Sequence, residues 1–147
     1  MTQDPTLIFA SFNRAKLTEY GDILADAPVT IQFLHEFDDH PSMDETGHSL
    51  SDNAVIKARS VAAFYNLPAF SDDTGLEVFA LDGAPGVYSS RYAGPNATYQ
   101  QNVDKLLHEL RNVPMNERGA RFRTVICLCV PQAGGQLKEF FFEGECD

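Results

Sequence analysis

Two neighbouring carboxylates are the residues of this chain best suited to hold a metal ion or to activate water. Asp72 and Asp73 follow a brief apolar run and precede Thr74-Gly75, while Glu45 lies upstream in a long acidic loop. Carboxylate oxygens suit Mg²⁺, which usually binds one or two of them together with substrate phosphates. An acidic pair before glycine is also typical of an ordinary turn, and the pattern alone favours the turn.

Ser11, Asn13 and Lys16 lie where a predicted strand meets a predicted helix. Backbone N–H groups at a helix start can bind phosphate oxygens, and the Lys16 ammonium adds positive charge. The segment lacks the flanking glycines and the Gly-Lys-Ser/Thr ending of a P-loop. Taken alone, it favours an ordinary helix start with Asn13 as the N-cap.

Asn53 and Lys57 are one turn apart on a predicted helix over residues 51–65. They could reach one substrate together or belong to a solvated helix face, and the pattern alone favours the solvated face. The histidines lack the regular spacing of metal ligands. We therefore expect all four histidines to be surface residues and not metal ligands: His35, His40, His48 and His108.

Apolar periodicity predicts the elements that must position these groups. Strands are expected over residues 6–10, 29–34, 122–130 and 137–142, and helices over the segment with Leu17, Tyr20 and Leu24, over 51–65 and over 98–111. Between them, apolar runs at 69–71 and 76–81 flank the expected turn at 72–75, and loops are expected at 35–47 and 88–94. The alternation predicts one α/β domain over residues 1–147, with a central mixed, twisted β-sheet flanked by helices.

Composition narrows the class of partner. The chain has 147 residues, 44% of them hydrophobic, and a formal net charge of −10. Such a charge repels polymeric nucleic acid and anionic membrane surfaces, but a divalent cation and local lysines can still bind a small anion. The odd number of cysteines and the lack of a signal-peptide pattern indicate the cytoplasm.

Five segments recur in an order and spacing that resemble the inosine/xanthosine triphosphate pyrophosphatases. They are SFNRAK at 11–16, DETG at 44–47, DNAVIKA at 52–58, SDDTGLEVFALDGAPGVYSSRYAG at 71–94 and ARF at 120–122. The fourth segment is far more specific than a lone short motif. The resemblance extends from about Leu7 to the last residue.

The resemblance implies hydrolysis of deaminated purine nucleoside triphosphates (ITP, dITP, XTP) to the monophosphate and pyrophosphate. It also implies Mg²⁺ as cofactor and a homodimer. By position, Asp73 corresponds to the proton acceptor and metal-linked carboxylate, and Lys57 joins it as a catalytic and phosphate-binding residue. The remaining assignments are substrate binding by Ser11, Asn13, Lys16, Asn53 and Thr74, and metal binding by Glu45 and Asp72 beside Asp73.

Departures from the family pattern are mild within the matched segments, where Phe12, Ala15 and Asp52 replace more usual residues. The chain also stops before the family's glycine-rich and aromatic-aspartate loop and its Ser-His-Arg motif. We therefore expect a C-terminally truncated chain in which residues 140–142 lack part of their cover, which predicts poor solubility or association.

Two alternative functions remain. The chain could be a non-catalytic nucleotide-binding or dimerisation fragment of such an enzyme. It could also be an aspartate-nucleophile phosphotransferase, although those enzymes use an Asp-x-Asp arrangement and Asp72 and Asp73 are adjacent.

Overall fold

A six-stranded mixed β-sheet carries the candidate residues in the computed structural model, which describes residues 3–147. The sheet order is β2-β1-β3-β5-β6, with β4 paired to β3. The first three of these strands are parallel, and β5 is antiparallel to both of its neighbours. The elements are β1 Thr6–Phe9, α1 Arg14–Ile23, β2 Thr30–Phe33, α2 Leu50–Tyr65, β3 Ala69–Val78, β4 Pro85–Gly86, α3 Tyr99–Glu109, β5 Ala120–Pro131 and β6 Leu137–Cys146. The predicted α/β fold with a mixed sheet is confirmed.

Each long helix begins at a polar residue that satisfies otherwise unpaired backbone N–H groups. Asn13 caps α1 and Ser49 caps α2, while Thr98 forms a capping box with Gln101 at the start of α3. The caps therefore fix where the chain turns from loop to helix. Within residues 3–147, no helix is both long enough and apolar enough to cross a membrane.

β3 is one continuous strand of ten residues, so the predicted turn at 72–75 is wrong. Asp72 pairs with Ile126 and Asp73 with Val125, which places both aspartates inside the ladder with β5. A strand directs successive side chains to opposite faces of the sheet. Asp72 and Asp73 therefore point to different sides, and tertiary pairing has overridden the local turn pattern.

Two apolar clusters cover the two faces of the sheet. On one face α2 packs over β1, β3 and β5. Ala58, Val61 and the free cysteines Cys127 and Cys129 are fully buried there. On the other face α1 packs through Tyr20 against Phe9 and Phe70. We refer to these as the α2 face and the α1 face.

The α1 face is only partly covered. In the register of β5 and β6, Phe142 lies opposite Ile126 and Phe140 lies opposite Leu128. The two phenylalanine side chains are 56% and 38% exposed. The expected lack of cover over residues 140–142 is therefore present, since all three phenylalanine side chains are exposed.

Candidate active site

Seven of the predicted residues line one cleft of about 350 Å³ beyond the end of β1. They are Ser11, Asn13, Lys16, Glu45, Lys57, Asp73 and Thr74. Five more lining residues fall outside the predicted set: Ala10, Phe12, Met43, Val87 and Ser90. Phe12, Val87 and Ser90 lie inside the matched segments, whereas Ala10 and Met43 lie just outside them.

The start of α1 forms one wall of the cleft. Asn13 Oδ1 accepts hydrogen bonds from the backbone N–H groups of Ala15 and Lys16, and Ser11 Oγ accepts one from Asn13 N–H. These three backbone donors are therefore already used within the turn. The Lys16 ammonium is the group at this wall that can meet an anion at longer range.

Lys57 projects from α2 into the opposite wall and is 7% exposed. Its Nζ atom lies 2.9 Å from Glu45 Oε1 and 3.9 Å from Asp73 Oδ1, and it donates to the backbone carbonyl of Asp72. The alternative of a solvated helix face is therefore wrong for Lys57. One buried ammonium joins the acidic loop to β3, which holds both cleft carboxylates close together.

Asn53 is fully buried one turn before Lys57 and does not line the cleft. Its Oδ1 atom accepts from Gly47 N–H at 2.8 Å, and its Nδ2 atom donates to Asp73 Oδ2 at 3.2 Å. A Cβ atom at Gly47 would lie 2.6 Å from Asn53 Oδ1, so the close approach requires glycine. Asn53 therefore ties the acidic loop to Asp73 from behind the cleft wall, where the sequence predicts a residue that binds substrate.

Burial raises the pKa of Asp73 above its ordinary value, and the charge of Glu45 acts in the same direction. Lys57, Asn53 and Lys16 oppose the shift without cancelling it. A carboxylate with a raised pKa holds protons more strongly than a free aspartate does. Asp73 therefore has the property required of a proton acceptor in a cleft that opens to solvent.

Asp72 lies on the α1 face and is 4% exposed, so it is not beside Asp73 as the sequence predicts for a shared metal site. Its Oδ1 atom accepts from Lys16 Nζ at 2.9 Å. Among residues 3–147, no three His, Cys, Asp or Glu side chains are grouped to hold a metal ion. All four histidines are exposed and outside the cleft, as expected.

The carboxylates that remain available for a metal ion are Glu45 and Asp73. Both line the cleft, and both lie within 4 Å of Lys57 Nζ. Two carboxylates that open onto a space large enough for phosphate groups form the kind of incomplete donor set that Mg²⁺ completes with substrate oxygens and water. The residues present therefore fit this ion.

A loop over residues 88–94 closes the cleft at Ser90 and is held by α3. Asn102 donates to the Ser90 carbonyl at 3.0 Å and accepts from Ala93 N–H at 2.8 Å. Within the same loop, Ser89 Oγ accepts a hydrogen bond from Leu76 N–H and donates one to the Gly86 carbonyl. The predicted ordered loop is confirmed, and its order comes from these bonds.

A second cavity of similar volume lies beyond Ser90, between α3 and the ends of β3 and β5. Its walls include Leu76, Val103, Leu106 and Phe122, and none of its lining residues is charged. An apolar cavity without cations offers little to a phosphate group. The cleft with Lys16 and Lys57 is therefore the candidate active site.

Known proteins resemble the chain over nearly all of its length. The sequence profile of the Ham1 family matches residues 7–147. A dITP/XTP pyrophosphatase of Geobacter sulfurreducens is 48% identical, over 95% of this chain and 68% of that protein. A dITP/XTP pyrophosphatase of Salmonella typhimurium is 45% identical, over 82% of this chain and 60% of that protein.

Solved structures agree with this similarity. The Ham1 protein of Staphylococcus aureus superposes with a TM-score of 0.79 at 34% identity, covering 95% of this chain and 69% of that one. A HAM1 protein of Coxiella burnetii superposes with a TM-score of 0.77 at 38% identity, covering 96% of this chain and 72% of that one. The chain thus spans roughly two thirds of the length of these relatives. A sheet that superposes on theirs and a profile match over 7–147 together place the chain in the Ham1 family.

Proposed function

We propose that the chain hydrolyses deaminated purine nucleoside triphosphates to the monophosphate and pyrophosphate with the help of Mg²⁺. The observation that carries this proposal is the meeting of two lysines, Lys16 and Lys57, with two carboxylates, Glu45 and Asp73, around one cleft. The relatives named dITP/XTP pyrophosphatase support the substrate class.

The cationic side chains of the cleft supply the binding of a triphosphate. Lys16 and Lys57 provide local positive charge in a protein whose formal net charge is −10. Because Lys57 is buried, its attraction for an anion is screened less than that of a surface lysine. Thr74, which lines the same cleft, adds a hydroxyl that can donate to a phosphate oxygen.

Asp73 is the proton acceptor in this proposal. It takes a proton from a water molecule that attacks the phosphoanhydride, and its raised pKa brings it closer to the pH at which it must work. Lys57 Nζ lies 3.9 Å from Asp73 Oδ1 and balances the negative charge of Asp73 before Asp73 takes the proton from water. Lys16 and Lys57 then stabilise the charge on the leaving pyrophosphate.

Glu45 and Asp73 would hold the magnesium ion, together with oxygens of the substrate. When bound, the ion supplies charge neutralisation on the phosphates and polarisation of the phosphorus–oxygen bonds. The contacts from Lys57 to both carboxylates keep the donor set together before any ion binds.

The test is pyrophosphate release from inosine triphosphate, with and without Mg²⁺, by this chain and by Asp73→Asn. Loss of a general base should reduce kcat by roughly 10²-fold to 10⁴-fold. Asp22→Asn is the matched control, since Asp22 is exposed on α1. Unchanged turnover in Asp73→Asn would remove Asp73 from this role, and orthophosphate as the first product would favour the phosphotransferase.

We also propose that the chain works as a homodimer in the cytoplasm. The exposed aromatic residues on the α1 face support self-association, and three free cysteines, two of them buried, are compatible with a reducing compartment. Sedimentation velocity over a concentration series tests the dimer. A monomer at every concentration would contradict it.

A further inference from the structure

Asp72 is a buried carboxylate that the proposed reaction does not use. It lies on the α1 face of β3, is 4% exposed and does not line the cleft. A buried charge is costly unless it is paired and hydrogen-bonded. Its partner is Lys16, whose Nζ atom donates to Asp72 Oδ1 at 2.9 Å and whose side chain does line the cleft.

A second cleft residue also lies next to Asp72. Thr74 Oγ1 is 3.5 Å from Asp72 Oδ2, and it shares a 2.8 Å hydrogen bond with Thr124 Oγ1 on β5. On the other side lies Tyr20, whose pKa is raised by burial first and by the charge of Asp72 second. Asp72 thus lies between a helix residue and a strand residue, each of which lines the cleft.

Lys16 and Asp72 differ in flexibility. Lysine has a flexible stem with several rotatable bonds, so an unpaired ammonium samples many positions. Asp72 is fixed by the ladder between β3 and β5, where it pairs with Ile126. Holding Lys16 at Asp72 therefore places the ammonium at a defined distance from Thr74, before substrate arrives.

We propose that Asp72 is a positioning residue that sets Lys16, and through the same carboxylate Thr74, for binding the phosphate chain. This rests on the proposed function for its substrate, but the positioning itself concerns any inorganic polyphosphate in the cleft. It also replaces the sequence-based assignment of Asp72 as a metal ligand.

Calorimetric binding of inorganic triphosphate, in the presence of Mg²⁺, tests the proposal without any turnover. Loss of an ordered charged hydrogen bond should weaken binding by about tenfold in Asp72→Asn. Lys16→Met should weaken it at least as much, and adding Asp72→Asn to Lys16→Met should change little more. Additive effects of the two substitutions would overturn the proposal.

Kinetics with inosine triphosphate separates positioning from metal binding. Asp72→Asn should raise KM and leave the Mg²⁺ concentration for half-maximal activity unchanged, whereas Glu45→Gln should raise that concentration. A raised Mg²⁺ requirement in Asp72→Asn would restore the metal-ligand role. Should wild-type protein bind triphosphate without hydrolysing inosine triphosphate, the proposed function fails and the binding cycle still decides the role of Asp72.

Folding is monitored by the thermal midpoint of each variant, with Asp22→Asn as the matched control on α1. If Asp72→Asn does not fold, Asp72→Glu keeps the charge and extends the side chain by one methylene. Weaker triphosphate binding by folded Asp72→Glu supports positioning. Binding equal to wild type by that variant overturns it.

Discussion

The side chain of Asp73 lies among Lys57, Asn53 and Glu45, and burial has the largest effect on its pKa, which it raises above 3.8. Between the unfolded and folded pKa values, the folded protein therefore binds more protons than the unfolded chain. The free energy of unfolding then falls as the pH rises through the folded pKa. Near neutral pH, the ionised Asp73 carboxylate therefore lowers the free energy of unfolding.

We expect Asp73→Asn to raise the thermal midpoint at neutral pH while it lowers kcat. The increment should shrink as the pH is lowered and disappear below the unfolded pKa of about 3.8. Scanning calorimetry across this range measures it. Asp22→Asn should show no such trend, and a lower midpoint for Asp73→Asn at neutral pH would contradict the argument.

Asn53 offers a second test at the same carboxylate. Asn53→Asp keeps an acceptor for Gly47 N–H but replaces the bond from Nδ2 to Asp73 Oδ2 with a like charge. Because neighbouring carboxylates raise one another's pKa, the acid limb of the kcat/KM profile should move to higher pH. Asn116→Asp, at an exposed position, is the control. An unmoved acid limb would show that Asn53 has little influence on Asp73.

Sequence motifs predicted seven of the cleft residues, because those residue types recur in order in the family they resemble. The motifs could not show which way Asp72 and Asn53 point. That depends on whether residues 72–75 form a turn or a strand, and on which side of α2 meets the sheet. Both are consequences of tertiary pairing.

At the scale of elements, β3 does most to arrange the site. It pairs with β1 before Asp72, with β5 along its whole length and with β4 beyond Gly75. A Cβ atom at Gly75 would lie 2.3 Å from the carbonyl oxygen of Gly86. Glycine at this position thus allows β4 and the following loop to lie against the strand that carries Asp73.

We therefore expect Gly75→Ala to lower the free energy of unfolding by about 1–3 kcal/mol, since the new methyl group overlaps backbone that must shift. Chemical denaturation measures the change. Gly144→Ala is the matched control, because a Cβ atom there has nothing within 4 Å. Equal free energies of unfolding for the two variants would show that the β4 backbone shifts away from the new methyl group at little cost.

The helices and the last two strands could be predicted because their signals are local: apolar residues at helical or alternating spacing, and the N-cap at Asn13. The turn at 72–75 was predicted from equally local signals and is wrong. Acidic residues are unfavourable in a strand on average. Here the ladder with β5 and the pairing of each carboxylate with a lysine offset that preference.

At the scale of the whole molecule, the α1 face is the largest departure from a covered core. Ile23, Phe122 and Phe142 are each more than half exposed. Ile23 and Phe142 line one cavity with Leu7, Tyr20, Leu24, Phe70, Ile126 and Leu128, and Phe122 lines the cavity beside α3. Contiguous apolar surface of this kind promotes association.

We expect the chain to self-associate at high concentration and Phe142→Glu to shift it towards monomer without lowering its thermal midpoint. Light scattering over a concentration series measures the shift. Met115→Glu, at a side chain that is 78% exposed and distant in sequence from β6, is the control. A monodisperse wild-type monomer would contradict the expectation.

The opposite orientations of Asp72 and Asp73 have a genetic consequence. Because side chains on a strand alternate, deletion of one codon between those for Phe70 and Asp72 would turn the proton acceptor towards α1 and its neighbour towards α2. The reading frame and nearly the whole composition would survive, yet the strand position that faces Lys57 would hold Thr74 instead of a carboxylate. Tolerance of single-codon deletions should therefore be lower in this short stretch than in the loop over residues 38–42, where no such alternation constrains the chain.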